Sequence, residues 1–296
     1  MALKSMTGFG RGEANGGGVK VTVELSTVNR KQFDCNFSMP RELACLDAKL
    51  HTLVHERISR GYVKGQITVA AVEGTEASVP GALQLAAVRR QINTLRSMAR
   101  ELGLADDLTA STLLCLPDAL RQGLLPEDPL EVWLLLEGAT NAALDSLDAM
   151  RLREGATLEK DLRGRFQELE AIGRQIAAIT PGVPAAYKAT LEKRLAELLG
   201  GGAAVEPALV AREVAVFADR CDVSEELTRL ASHFDQAGRA LDQDGACGRT
   251  LDFLCQELFR EINTTGSKAN NAEVSRLVIG FKAGLEAVRE QIQNIE

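Results

Sequence analysis

Between Asp222 and Lys268 the chain repeats carboxylates, an imidazole and cations at helical spacing. At 100° per residue, Asp222, Glu226, Arg229 and His233 fall within about 60° of one another. They run beside an apolar stripe of Val223, Leu227, Leu230, Phe234 and Leu241. A second segment repeats the design, with Glu257, Glu261, Thr264 and Lys268 edging a stripe of Leu251, Leu254, Cys255, Leu258 and Ile262. Two helices packed through these stripes bring both polar edges to a shared rim. Glu226, His233, Glu257 and Glu261 are then candidate metal ligands. Oxygen and imidazole ligands on neighbouring helices suit a divalent cation, which activates water or stabilises charge on a phosphoryl group. The same residues also read as a solvated helix face with ordinary ion pairs, Glu225 with Arg229 being one such spacing. No HExxH, CxxC or aspartate-rich loop decides between the two.

The elements that position these residues are three helices, spanning Asp222 to Leu241, Arg249 to about Thr265, and Asn270 to the C-terminus. Ahead of them the first domain reads as α/β. Val19, Val21, Val23 and Leu25 alternate with polar residues, as do Phe33, Cys35, Phe37 and Met39. Pro40 ends that strand, a helix with Leu43, Leu46, Leu50, Leu53, Val54 and Ile58 on one face follows, and Val63, Ile67 and Val69 mark a further strand. Gly8, Gly10, Gly12 and Gly16 to Gly18 suggest a strand edge and a hairpin turn; no Lys-Ser/Thr follows Gly8-Phe-Gly10 and no helix opens after it to make a phosphate loop. His51 and His55, at i, i+4, have the spacing of a metal pair but no carboxylate stripe beside them, and read as surface or packing histidines.

From Pro80 the pattern is helical: about Ala82 to Leu102, Ala110 to Leu114, then, past Pro117, Pro126 and Pro129, a long stretch to Thr180 interrupted by isolated glycines. Leu158, Leu162, Phe166, Leu169, Ile172, Ile176 and Ile179 form a near-heptad seam, Pro181 and Pro184 break it, and Leu191, Leu195 and Leu198 resume on a return helix. This predicts an antiparallel arm whose apolar seam meets another subunit. Gly200 to Gly202 make a joint. The expected fold class is α+β. Residues 1–156 form the N-terminal region, with its α/β part in 1–75; residues 157–204 form the arm and 205–296 the C-terminal helical domain.

At 45% hydrophobic and 25% charged residues the chain has the composition of a globular protein. The net charge of −7 hides an asymmetry: residues 1–72 carry ten Lys or Arg against six Asp or Glu, and residues 205–296 ten against sixteen. A basic N-terminal third can hold phosphates while an acidic C-terminal third holds cations. No apolar run of membrane-spanning length and no signal peptide is visible, and the six cysteines show no metal-type pairing. They read as reduced thiols of a cytoplasmic protein.

The run from Leu251 to Lys268 (LDFLCQELFREINTTGSK) resembles the signature of the YicC family. Similar to that family are also Asp222 to His233 (DVSEELTRLASH), the ending Val288 to Glu296 (VREQIQNIE), Ser5 to Gly10 (SMTGFG) with Leu25 to Arg30 (LSTVNR), and Glu154-Gly155. The resemblance covers nearly the whole chain, more loosely in the middle third. It implies a cytoplasmic, oligomeric endoribonuclease, a hexamer by family pattern, whose RNA cleavage depends on a divalent cation such as Mg or Mn. Residues 30–34 depart from the family in lacking an aromatic one position earlier. With RNA as partner, Arg30, Lys31, Arg41, Arg60 and Lys64, together with Arg229, become candidate RNA contacts rather than solubilising charge. Glu226, His233, Glu257, Arg260, Glu261 and Lys268 become the candidate catalytic set. The carboxylates and histidine would hold the cation, and Arg229, Arg260 or Lys268 would stabilise charge at phosphorus. Metal-free 2′-hydroxyl chemistry by His233 with Lys268 is a variant, a non-catalytic RNA-binding adaptor is a rival, and a purely structural helical scaffold is a third reading.

Overall fold

Alternating burial builds the first sheet. The computed structural model describes residues 3–30, 32–72, 85–103, 105, 109, 129–199, 206–243 and 247–295. Lys31, Cys115, the expected helix Ala110 to Leu114, Pro117, Pro126 and the joint Gly200 to Gly202 lie outside the described residues. The described part of the chain divides into two compact units, Thr7–Met150, and Met1–Met6 with Arg151–Glu296. The fold class is α+β.

In the first unit β1 (Gly8–Gly16), β2 (Val19–Val28), β3 (Asp34–Ser38) and β4 (Tyr62–Ala71) form a sheet in the order β1-β2-β4-β3. β1–β2 and β2–β4 are antiparallel, and β3 joins β4 parallel. The β1–β2 turn places Gly17 at φ 59° and Gly18 at φ 79°, the left-handed pair that a tight hairpin needs. Val21, Val23, Leu25, Val63, Ile67 and Cys35 point to one face, against Leu43 and Leu46 of a 3-10 turn, Leu50 and Val54 of α1 (Asp47–Arg57), and Leu136, Ala139 and Ala143. The other face carries charge, with Arg11, Glu13, Lys20 and Glu24 linked by ion pairs. Strand β1 is a full strand that alternation alone did not reveal, because its inward positions include Gly10 and Gly12. A Cβ at either would collide with backbone atoms of residues 139–147 of the helix packed over it. The glycines are there for close packing, not for phosphate.

α2 (Leu85–Leu102) is followed by α3 (Pro129–Ile179), one continuous helix of 51 residues through the glycines expected to interrupt it. The second unit holds the C-terminal part of α3, a 3-10 turn at Thr180–Gly182, α4 (Val183–Leu198), α5 (Pro207–Cys221), α6 (Ser224–Asp242), α7 (Gly248–Lys268) and α8 (Ala272–Ile292). The seam expected to seek a second subunit is covered within the chain. Leu162, Phe166, Leu169 and Ile176 share one core with Leu230, Leu251, Leu254, Leu258, Phe281 and Leu285. The return helix α4 packs instead on α5. The N-terminal residues close this unit: Ser5 bridges Ile295, Met6 N–H donates to Asn294 O at 2.8 Å, and the buried Arg151 Nε donates to Ser5 O at 2.6 Å. Among the described residues no helix is long and apolar enough to cross a membrane.

Candidate active site

The apolar stripes decide how α6 and α7 meet. Leu230 on α6 and Leu251, Leu254, Leu258 and Ile262 on α7 are buried together, and Phe234 packs edge-on against Phe166 and Phe281 at centroid distances of 6.4 and 6.1 Å. The helices run antiparallel, so the start of α6 faces the end of α7. Lys268 Nζ donates to Glu226 Oε1 at 2.7 Å, Arg229 Nη1 lies 3.6 Å from Glu261 Oε1, and His233 reaches Glu257 and Glu261.

The last contact forms the metal-type cluster. One ligand atom each of His233, Glu257 and Glu261 lies within 4.8 Å of the other two. Glu261 is buried, and His233 and Glu257 are half-buried. His233 Nδ1 is buried and has no hydrogen-bond partner, an expense that folded proteins usually avoid and that a bound ligand would relieve. A nitrogen and two carboxylates on two neighbouring helices are donors that would hold a divalent cation. The donor set therefore fits the cation that the sequence reading calls for.

Glu226, the remaining candidate ligand, stands apart. Seven residues separate it from His233, roughly 10 Å along a helix axis, too far to share one ion. Its carboxylate is buried against Lys268, which raises the lysine's pKa above its ordinary value, first through their hydrogen bond. Asp222 caps the start of α6: its Oδ1 accepts from Ser224 N–H at 2.9 Å, and that backbone hydrogen bond lowers its pKa. Arg229 is held by Glu225 as well as by Glu261, and Arg260 extends into solvent 3.9 Å from Glu257. Thr264 spends its hydroxyl on Arg260 O within α7.

The basic candidates of the first unit gather at one end of the sheet. Arg30 pairs with Asp34 and lies over the Tyr62 ring at 5.5 Å, and Arg60 Nε donates to Arg30 O at 3.4 Å. Lys64 points out from β4 beside Ser26 and Asn36. Arg41 instead borders a cavity with Cys35 and His51. His51 Nδ1 sits 2.8 Å from Cys35 Sγ, and His55 packs on Phe33 at 4.5 Å. Both histidines are engaged in packing the α1 face. Tyr187 and Arg194 of α4 and Phe217 of α5, which border a second cavity, escaped sequence reasoning because nothing in the sequence says that these two helices meet there.

Residues 3–160 match the family model described as the N-terminal region of YicC-like endoribonucleases, and residues 176–296 match its C-terminal counterpart. A Clostridioides difficile protein named probable endoribonuclease YicC is 34% identical over 292 residues, 99% of each chain. The chain belongs to the YicC-like endoribonuclease family. A Haemophilus influenzae member of the family, also named a probable endoribonuclease, is 28% identical over 295 residues, 99% of this chain and all of its own. The segments that carry the family resemblance supply the site: Asp222 to His233 leads into and forms the first half of α6, and Leu251 to Lys268 is most of α7. The YicC-like ends of the chain, around Ser5 and Asn294, meet each other beside Gly155, where a Cβ would strike Leu3 O.

Proposed function

We propose that this chain is an endoribonuclease, active as a homo-oligomer in RNA turnover, that cleaves RNA phosphodiester bonds with a divalent cation, Mg or Mn, held by His233, Glu257 and Glu261. Two observations carry this reading: a ring nitrogen of His233 lies within 4.8 Å of carboxylate oxygens of Glu257 and Glu261, and its Nδ1 is buried without a hydrogen-bond partner. When bound, the cation supplies an activated water and charge stabilisation at the scissile phosphate. Arg260, 72% exposed and tethered only loosely to Glu257, is free to swing onto a phosphate oxygen. Arg229, clamped between Glu225 and Glu261, offers a fixed cation beside the cluster. Lys268 does less than the sequence suggests, because Glu226 tightens its hold on its proton and makes it a poor general acid near neutrality. That weighs against metal-free 2′-hydroxyl chemistry by His233 with Lys268. Arg30, Arg41, Arg60 and Lys64, with Lys31, bind the RNA backbone largely without sequence preference.

The test uses purified protein and end-labelled single-stranded RNA, with and without chelator. Cleavage should require the cation, and Glu257→Gln and His233→Ala should each lower it by hundreds-fold or more, about tenfold per 1.4 kcal/mol of lost transition-state stabilisation. RNA binding and oligomer mass by light scattering should be nearly unchanged. Full cleavage by both variants in excess chelator would reduce the cluster to a salt-bridged surface. RNA binding with no cleavage under any metal would favour the adaptor. Loss of cleavage together with assembly would mean that these residues hold helices rather than a cation.

A further inference from the structure

A second concave site lies in the same unit, away from the carboxylates. Its cavity of about 400 Å³ is bordered by Tyr187, Thr190 and Arg194 of α4, Phe217 of α5, and Asn270 and Asn271 just before α8. That volume is in the range of small-ligand sites, roughly 300–1,000 Å³. The Tyr187 and Phe217 rings are nearly parallel, 9° apart with centroids at 3.8 Å, and both are half-buried. Stacked on each other, they cover one face of each ring and leave only the outer faces of the pair for a further ring to continue the stack. Arg194 is exposed and, among the described residues, joins no ion pair. Asn270 is exposed at φ 42°, the left-handed conformation with which asparagine commonly ends a helix, here α7. Asn271 spends its Oδ1 on the N–H groups of Glu273 and Val274, which leaves its Nδ2 as a donor.

We propose that this cavity is a nucleobase subsite, which takes one base of the bound RNA strand onto an outer face of the Tyr187–Phe217 stack. The proposal rests on RNA being the substrate. A planar aromatic wall matches the π-face common to every base, and a guanidinium can stack on the base or reach its phosphate. Carboxamides carry both donors and acceptors, as base edges do. A single arginine is too little charge for a site that reads phosphates alone. Asn270 follows Glu261 by nine residues, roughly 14 Å at the helical rise, a span that single-stranded RNA crosses in a few nucleotides. The subsite would therefore hold the strand in register a fixed distance from the bond that is cut.

Fluorescence-detected binding of a short single-stranded RNA, in chelator so that no cleavage intervenes, tests this directly. A series of RNAs each carries one abasic nucleotide. The parent protein should lose about tenfold in Kd at one position and little elsewhere. Arg194→Gln and Tyr187→Leu should bind intact RNA about tenfold more weakly and no longer distinguish the sensitive abasic RNA, whereas Tyr187→Phe should behave as the parent. If Tyr187→Leu disturbs folding by circular dichroism, Arg194→Gln and the abasic series decide the matter. Equal tolerance of every abasic position by the parent, or full discrimination retained in Arg194→Gln, would overturn the subsite while leaving RNA as the substrate. No binding of any RNA by the parent would overturn both.

Discussion

Glu226 and Glu257 are carboxylates one helix apart with different tasks. Glu226 is 5% exposed and answers Lys268, and Glu257 stands half-buried beside His233 and Glu261. Glu226→Gln should lower the thermal midpoint, because it leaves the Lys268 ammonium without its counter-charge, yet cost cleavage no more than about tenfold. Glu257→Gln should reverse the order, with little change in midpoint and a loss of hundreds-fold. Equal cleavage losses in the two variants would place Glu226 at the cation after all. A further residue-scale effect is set chiefly by burial. Cys255 is fully buried, and desolvation pushes its thiol up from 9.0 to about 12. The raised pKa means that the folded chain keeps a proton that the unfolded chain gives up, so this contribution is complete below pH 9 and is lost as pH rises toward 12. Urea unfolding between pH 8 and 11 should show stability falling above pH 9, by up to about 1.4 kcal/mol per pH unit from this thiol. Cys255→Ala should flatten that slope; an unchanged slope in the variant would assign it to other groups.

At the scale of elements, the glycines of α3 and β1 divide by what surrounds them. Gly12 faces the backbone of residues 139–143, whereas Gly164 has nothing within 4 Å of a built Cβ. Gly12→Ala should therefore wedge β1 off the helix and destabilise by about 1–3 kcal/mol. Gly164→Ala should stabilise by about 0.5–1 kcal/mol, since a mid-helix glycine costs backbone entropy and here no neighbour objects. Chemical denaturation of both variants is the check, and a stabilising Gly12→Ala would contradict the packing described. The same logic accounts for α3 remaining unbroken. Its glycines lower helix propensity, but Leu162, Phe166, Leu169 and Ile176 bury enough apolar surface on one side to carry the helix through them.

At the scale of the whole molecule, the proposed function assigns RNA holding to the basic residues of the first unit and cutting to the cluster of the second. Neutralising Arg30, Lys31, Arg60 and Lys64 together should weaken RNA binding and flatten its dependence on salt, because fewer counterions are released per complex. Stability should hardly move, as Arg30 and Asp34 are both more than half exposed and such pairs contribute little. A quadruple variant that matches the parent across a salt series would move the RNA path elsewhere, with Arg229 and Arg260 the next residues to test.

Periodicity alone determined much of this protein. The alternation from Val19 to Leu25 specified a half-buried strand, and the stripes of α6 and α7 specified a helix pair with carboxylates and a histidine along its edge. These are one-dimensional patterns, and burial of one face follows from them wherever the partner lies. The sequence could not say which edge residues meet. Glu226 and His233 share a stripe by angle, but the antiparallel crossing pairs early residues of α6 with late ones of α7, so Glu226 meets Lys268 and His233 meets Glu257 and Glu261. Strand β1 was hidden because its packing positions are glycines, whose purpose becomes visible only with the helix backbone against them. Likewise the seam from Leu158 to Ile179 has a period that any apolar partner satisfies, and only the tertiary structure decided that the partner is the chain's own C-terminal bundle.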